Sequence, residues 1–172
     1  MFWQSILEAT AAKRSVRAFD IPLQRLTVQD PPNAAQVSTV VEALRAGRLA
    51  VLPTETVYGL AADPGCAEAV AKLAAVKGRH PDQPFTHHFA TGAELTRVAA
   101  PPPARVQRLL DRLWPGPLTM ILPRRRGDGE VGVRVPAHPF TQRVLAKFET
   151  GLLMTSVNAV GRPPIHDPAT IE

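Results

Sequence analysis

Three short strings carry residue types that can hold a small polar or anionic ligand. The first is Pro53-Thr54-Glu55-Thr56-Val57-Tyr58-Gly59-Leu60, directly after an apolar run. It crowds hydroxyls where a buried strand ends, the place at which mixed α/β sheets tend to seat ligands. A turn whose threonines satisfy backbone groups is the plainer reading for any one of these residues. The second is Lys77-Gly78-Arg79-His80-Pro81-Asp82-Gln83-Pro84. Two cations flank a glycine, so charge and backbone can approach a polyanion together. Cations at a helix C-terminus also complement its dipole with no ligand at all. The third is Ser156-Val157-Asn158 after the apolar Leu152-Leu153-Met154. If extended backbone persists, Ser156 and Asn158 share a face, and a hydroxyl beside an amide can read a phosphate, a ribose or an amino acid.

Other chemistries are excluded or weakened. No Gly-Lys dipeptide occurs, so the common phosphate loop is absent. His-Glu-x-x-His is also absent. His87 and His88 are adjacent in an expected strand, so their side chains point to opposite faces and cannot share a metal; one of them can face a cleft. A single cysteine, Cys66, allows no internal disulfide and no zinc site with two thiolates. No residue is assigned to a metal.

The elements that must position these strings follow from periodicity and punctuation. Asn33 is placed to cap a helix through Val37, Val40, Val41 and Leu44, with Gly47 as its stop. A short buried strand is expected over Arg48 to Leu52, and a helix over Cys66 to Val76. Pro84 to Phe89 reads as a strand, and Thr91 with Glu94 makes a capping-box pattern. A helix follows over Arg105 to Trp114, then strands at Leu118 to Leu122 and Val131 to Val135 around a polar Arg/Gly loop. Pro139 opens another helix, Leu152 to Ser156 is a strand, and Asp167-Pro168 begins a last helix. Helices and strands interleave without strict alternation. The expected fold class is therefore mixed α/β, a mixed sheet covered by helices.

Size and charge agree with this. The chain has 172 residues, 45% hydrophobic and 20% charged, which suits one domain with one core. No apolar run approaches a membrane span. Twenty basic residues against fifteen acidic ones leave a net charge of +5. That favours anionic partners, although arginine outnumbers lysine 16 to 4 and most of these side chains are expected to do only structural or solvation work. The Arg124-Arg125-Arg126 triplet is expected to be a solvated hairpin loop. Met1 to Ala12 lacks the basic and apolar regions of a secretory signal. A first helix or a loose tail is expected there, and a reducing cytoplasm is the expected compartment.

Taken together and in order, the strings resemble the YrdC family of threonylcarbamoyl-adenylate synthases. The resemblance runs from about Val37 to Glu172. Its most specific pieces are Pro-Thr-Glu-Thr-Val-Tyr-Gly-Leu at 53–60, Lys-Gly-Arg at 77–79, Trp-Pro-Gly-Pro-Leu-Thr at 114–119, Val-Arg-Val-Pro at 133–136 and Ser-x-Asn at 156–158 followed by Gly-Arg-Pro. The resemblance implies a twisted mixed sheet in a three-layer arrangement, with a variable segment over residues 1–33 and the domain over 34–172. It also implies a reaction, in which L-threonine, bicarbonate and ATP give threonylcarbamoyl-AMP and pyrophosphate. Magnesium accompanies the ATP. A partner transferase then passes the product to tRNA.

By matching motif, Lys77 and Arg79 are expected to hold ATP phosphates. Gln83, Thr119, Ser156 and Asn158 are expected at the nucleotide, and Thr54, Thr56, Tyr58, His88 and Arg134 at the threonine. Gln83 stands where the family usually has asparagine, and Thr86-His87 where the family is more apolar. Members of the family normally continue past the equivalent of Ile171-Glu172, so if the chain stops here, one side of the sheet or site is expected to be open. Two other expectations compete. One is a relative that binds tRNA or double-stranded RNA through a basic concavity without catalysis. The other is a carbamoyl-adenylate chemistry that starts from carbamoyl phosphate.

Overall fold

The computed structural model describes residues 24–80 and 83–171. The expectation for the N-terminal segment up to residue 23 lies outside the described residues.

The first helix forms where its signals place it. Asn33 Oδ1 accepts a 2.8 Å hydrogen bond from the Ala35 amide and starts α1 (Ala34–Arg45), and Gly47 ends it at φ +72°. Glycine is suited to that left-handed turn because it has no Cβ to clash with the carbonyl. Strand β1 (Ala50–Leu52) follows, then β2 (Gly59–Ala62) and α2 (Ala67–Val76). Next come β3 (Thr86–His88), a 3-10 turn over Gly92–Arg97 with a complete Thr91/Glu94 capping box, and α3 (Ala104–Leu113). The chain continues through β4 (Thr119–Pro123), β5 (Glu130–Arg134), α4 (Pro139–Leu145) and β6 (Leu152–Ser156). The last expected helix is a single 3-10 turn, Pro168–Thr170, capped by Asp167.

The six strands form one mixed sheet in the order β1-β2-β6-β3-β5-β4. Every neighbouring pair is antiparallel except β3 and β5. Strand β2 was not expected from the sequence. Gly-Leu-Ala-Ala has weak strand propensity and is buried at all four positions, so it shows no alternation.

Register divides the sheet into two faces. Leu153, His87 and Val133 are aligned across β6, β3 and β5, and that face packs under α2 and α3. Leu152, His88, Arg134 and Thr119 are aligned on the opposite face. There α1 and α4 cover the β1-β2-β6 half with Val37, Val41, Leu44, Phe140 and Val144. The β3-β5-β4 half of this face is polar and less covered, and Ile121 on β4 is 63% exposed. Among the described residues the layers are therefore helix, sheet, helix, with one helical layer incomplete.

Most cations that bond within the chain serve the fold. Arg25 donates to the carbonyls of Pro168, Ala169 and Ile171, and Arg143 to that of Pro32. Arg45, Lys72, Arg97 and Arg125 likewise bond to backbone carbonyls of neighbouring segments.

Candidate active site

The half of the sheet that the described helices leave less covered holds a hollow of about 240 Å³. That lies near the small end of ligand pockets, which start at about 300 Å³. Its floor comes from alternate residues of the strands. Thr86 and His88 project from β3, Arg134 from β5, Thr119 from β4, and Met154 and Ser156 from β6. The loop between β1 and β2 adds Thr54 and Thr56, and the segment after α2 adds Arg79. Two guanidinium groups and several hydroxyls thus converge, and the lining includes no carboxylate. Such a surface attracts an anion.

Small residues keep the floor open. Gly132 on β5 faces Thr86, whose Oγ1 would lie 3.1 Å from a Cβ at that position. At Gly59 a Cβ would come within 2.5 Å of Met154 Cε. Gly59 also pairs with Ser156, so the close approach of β2 to the end of β6 depends on it.

The loop that follows β1 is built by its own hydroxyls. Thr54 Oγ1 accepts from the amides of Thr56 and Val57 at 3.2 and 3.1 Å, donates to the Val57 carbonyl at 2.6 Å, and lies 2.9 Å from Thr56 Oγ1. Thr54 therefore does turn work while lining the hollow. The hydroxyl of buried Thr141 on α4 donates to the Pro53 carbonyl and anchors the loop's start.

Arg134 is held by side chains of the loop after β1. Its Nη2 donates to Glu55 Oε1 at 2.8 Å and to Thr56 Oγ1 at 3.0 Å. Glu55 Oε2 accepts from the Ala137 amide at 3.0 Å. Burial alone would raise the Glu55 pKa. The Arg134 hydrogen bond, the backbone amides and the Arg134 charge outweigh it and hold the carboxyl below its ordinary value.

His88 is buried and its Nδ1 lies 3.2 Å from the Thr86 carbonyl, a contact in which the ring nitrogen must donate. Burial lowers its pKa to about 4, so the ring is neutral at pH 7. With Nδ1 donating, Nε2 carries a lone pair and can accept from a ligand hydroxyl or amine. His87 faces the other way, stacked at 6.0 Å on Phe89, so the two histidines do point apart. Among the described residues no three His, Cys, Asp or Glu side chains gather to hold a metal.

The structure brings Thr54, Thr56, Arg79, His88, Thr119, Arg134 and Ser156 to one hollow. It leaves four of the expected residues out of the lining. Lys77 is 6% exposed, and its ammonium donates to the carbonyls of Ser156, at 2.7 Å, and Asn158. Burial, with the nearby Arg79 charge, lowers its pKa. Asn158 does not share a strand face with Ser156, because β6 ends at Ser156 and the chain bends. Its Nδ2 closes that bend onto the carbonyls of Ala159 and Arg162. Gln83 is exposed, and Tyr58 contributes its carbonyl to the Val157 amide.

Sequence reasoning assigned no role to Glu55 or Thr86. Both carried a signal. Glu55 is the acid inside the hydroxyl string, and Thr86 lies two residues from His88 on the same strand face.

A mixed sheet with a cationic hollow, two arginines among hydroxyls, on one face makes this an α/β domain with a candidate ligand site. The chain belongs to the Sua5, YciO and YrdC family: the family model described as telomere recombination matches residues 42–172. It is 37% identical over 136 residues to a threonylcarbamoyl-AMP synthase of Halorhodospira halophila, covering 74% of this chain and 71% of the relative. It is 36% identical over 128 residues to the threonylcarbamoyl-AMP synthase of Pyrococcus abyssi, covering 70% of this chain. The chain spans only 38% and 41% of the lengths of the Pyrococcus abyssi and Bacillus subtilis relatives. Among solved structures, P. abyssi Sua5 complexed with L-threonine superposes with a TM-score of 0.72 at 32% identity, over 80% of this chain and 43% of that one. E. coli YciO superposes with a TM-score of 0.71 at 24% identity over 80% of this chain and 71% of that one, a likeness of fold.

Proposed function

We propose that the hollow joins L-threonine, bicarbonate and ATP into threonylcarbamoyl-AMP and pyrophosphate. The observation that carries this is the convergence of Arg79, Arg134, neutral His88 and the Thr54, Thr56 and Ser156 hydroxyls on one small hollow. The threonine complex of a 32% identical structure supports the amino-acid half of the reading.

The chemistry asks little of the protein beyond placement. The neutral threonine amine takes up carbon dioxide from bicarbonate, with loss of water, to give a carbamate. A carbamate oxygen attacks the α-phosphorus of ATP, the bond to the β-phosphate oxygen breaks, and pyrophosphate leaves. No protein nucleophile is needed, so catalysis rests on alignment and charge neutralisation. Arg79 and Lys77 are proposed on the phosphates. An ammonium has three donors, and the Ser156 and Asn158 carbonyls take two, which leaves one for a phosphate oxygen. Ser156, Thr119 and Asn158 are proposed at the nucleotide; Asn158, its amide donors used, offers Oδ1 to a hydroxyl. Thr54, Thr56, His88 and Arg134 are proposed at the threonine, with Tyr58 and Gln83 at the margin. Magnesium would be carried by the triphosphate itself.

The product would pass to a partner transferase and on to tRNA, in a cytoplasmic setting. The test is pyrophosphate release with ATP, bicarbonate and threonine. Release that depends on threonine and is lost in Arg79→Ala supports the reading. Absence of release from the parent chain, or release driven by carbamoyl phosphate instead, overturns it.

A further inference from the structure

Glu55 is out of place in an anion site. A carboxylate beside Arg134 weakens the pull of the hollow on any anion, so the pairing is useful only where orientation matters more than net charge. Its geometry is that of a brace. Oε1 accepts from Arg134 Nη2 at 2.8 Å, and Oε2 accepts from the Ala137 amide at 3.0 Å. The carboxylate thereby joins the loop after β1 to the loop after β5. Helix α4 ties the same two loops, Thr141 through the Pro53 carbonyl and Gln142 through the Pro136 carbonyl. Arg134 Nη2 is fully engaged by Glu55 and Thr56, and its Nε is buried with no hydrogen-bond partner among the described residues. The Nη1 donors remain for a ligand in the hollow that Arg134 lines.

We infer that Glu55 is a positioning residue, which clamps Nη2 of Arg134 and so sets the direction in which Nη1 meets the anionic end of the bound amino acid. This rests on the proposed reading of the hollow as a threonine site. An arginine stem has several rotatable bonds, and a guanidinium held at only one nitrogen samples many directions. Glu55 is not itself a lining residue, so its effect must travel through Arg134.

The experiment titrates threonine and ATP separately in pyrophosphate-release assays of the parent, Glu55→Gln, Glu55→Asp and Glu55→Ala. The expected result is a rise in the threonine KM of about tenfold for Gln and up to about a hundredfold for Ala, with partial recovery in Asp. The ATP KM should stay within about twofold. A threonine KM equal to the parent's, or an equal rise in both constants, overturns the inference and leaves the reading of the hollow standing. The threonine KM of the parent should also rise as acid pH protonates Glu55, and this limb should vanish in Glu55→Gln. Arg134, His88 and His138 are the charged or titratable groups coupled to Glu55, and every variant retains them. If the parent releases no pyrophosphate with threonine, the reading of the hollow fails, and guanidinium NMR decides the brace by itself. Arg134 Nη signals resolved in the parent and averaged in Glu55→Gln support it, and identical signals overturn it.

Discussion

The ammonium of Lys77 lies 2.7 Å from the carbonyl oxygen of Ser156. This contact spans 79 positions of the chain and pins the end of α2 to the end of β6. Two of the candidate strings, the Lys-Gly-Arg after a helix and the Ser-x-Asn after a strand, are thereby one structural unit. Removal of the ammonium leaves the Ser156 and Asn158 carbonyls short of a donor, at a cost of about 1–3 kcal/mol. Lys77→Met should lower Tm by several degrees, as checked by thermal unfolding, and should also weaken ATP use.

Arg79 separates binding from folding. Among the described residues it lies over the Phe85 ring at 5.1 Å and makes one long contact, 3.5 Å, to the Pro84 carbonyl. Arg79→Ala should leave Tm within about 2 °C, since surface changes are worth within about 0.5 kcal/mol. Its kcat/KM for ATP should fall about a hundredfold, the usual loss for one electrostatic donor. A large drop in Tm would show that the residue is structural.

Acid should weaken the fold through His88. Its pKa is about 4 in the folded chain against 6.5 for an ordinary histidine. Below pH 6.5 the unfolded chain takes up a proton that the folded chain refuses, so stability falls as pH drops from about 6.5 to about 4. The full loss is up to about 3 kcal/mol, and stability is restored above pH 6.5. Urea midpoints at pH 7.5 and 5.0 should differ in the parent, and less so in His88→Gln. His87 and His138 shift in the same direction, chiefly by burial, so part of the slope should survive.

Gly151 leads into β6 at φ +65°, and a Cβ there would overlap the His88 carbonyl oxygen and the Phe89 ring. Both the backbone strain and the overlap oppose a side chain. Gly151→Ala should destabilise the chain by about 2–4 kcal/mol, measured by denaturant unfolding, and should disturb His88. Gly127 also has positive φ but no atom within 4 Å of such a Cβ, so Gly127→Ala should cost only about 1 kcal/mol.

The chain's local signals placed α1, α2, α3, α4, the capping box and five of the six strands to within a few residues. Asn33, Gly47 and Thr91 with Glu94 act over one turn of backbone, so they read directly from neighbouring residues. Strand β2 escaped because an Ala-rich strand buried on both faces has neither alternation nor β-branched side chains. The opposed faces of His87 and His88 followed from the two-residue period of a strand.

Residue types and their order along the chain determined the element boundaries other than those of β2, the absence of the Gly-Lys phosphate loop and of two-thiolate chemistry, and the three polar strings. Tertiary structure alone decided which groups meet. The order β1-β2-β6-β3-β5-β4 brings Glu55 to Arg134 across 79 positions and Lys77 to Ser156 across another 79, while it turns Asn158 back on its own loop. Local propensity acts over a few bonds. Which strands lie side by side is settled by how three apolar clusters close on the two faces of one sheet, and no single segment carries that information.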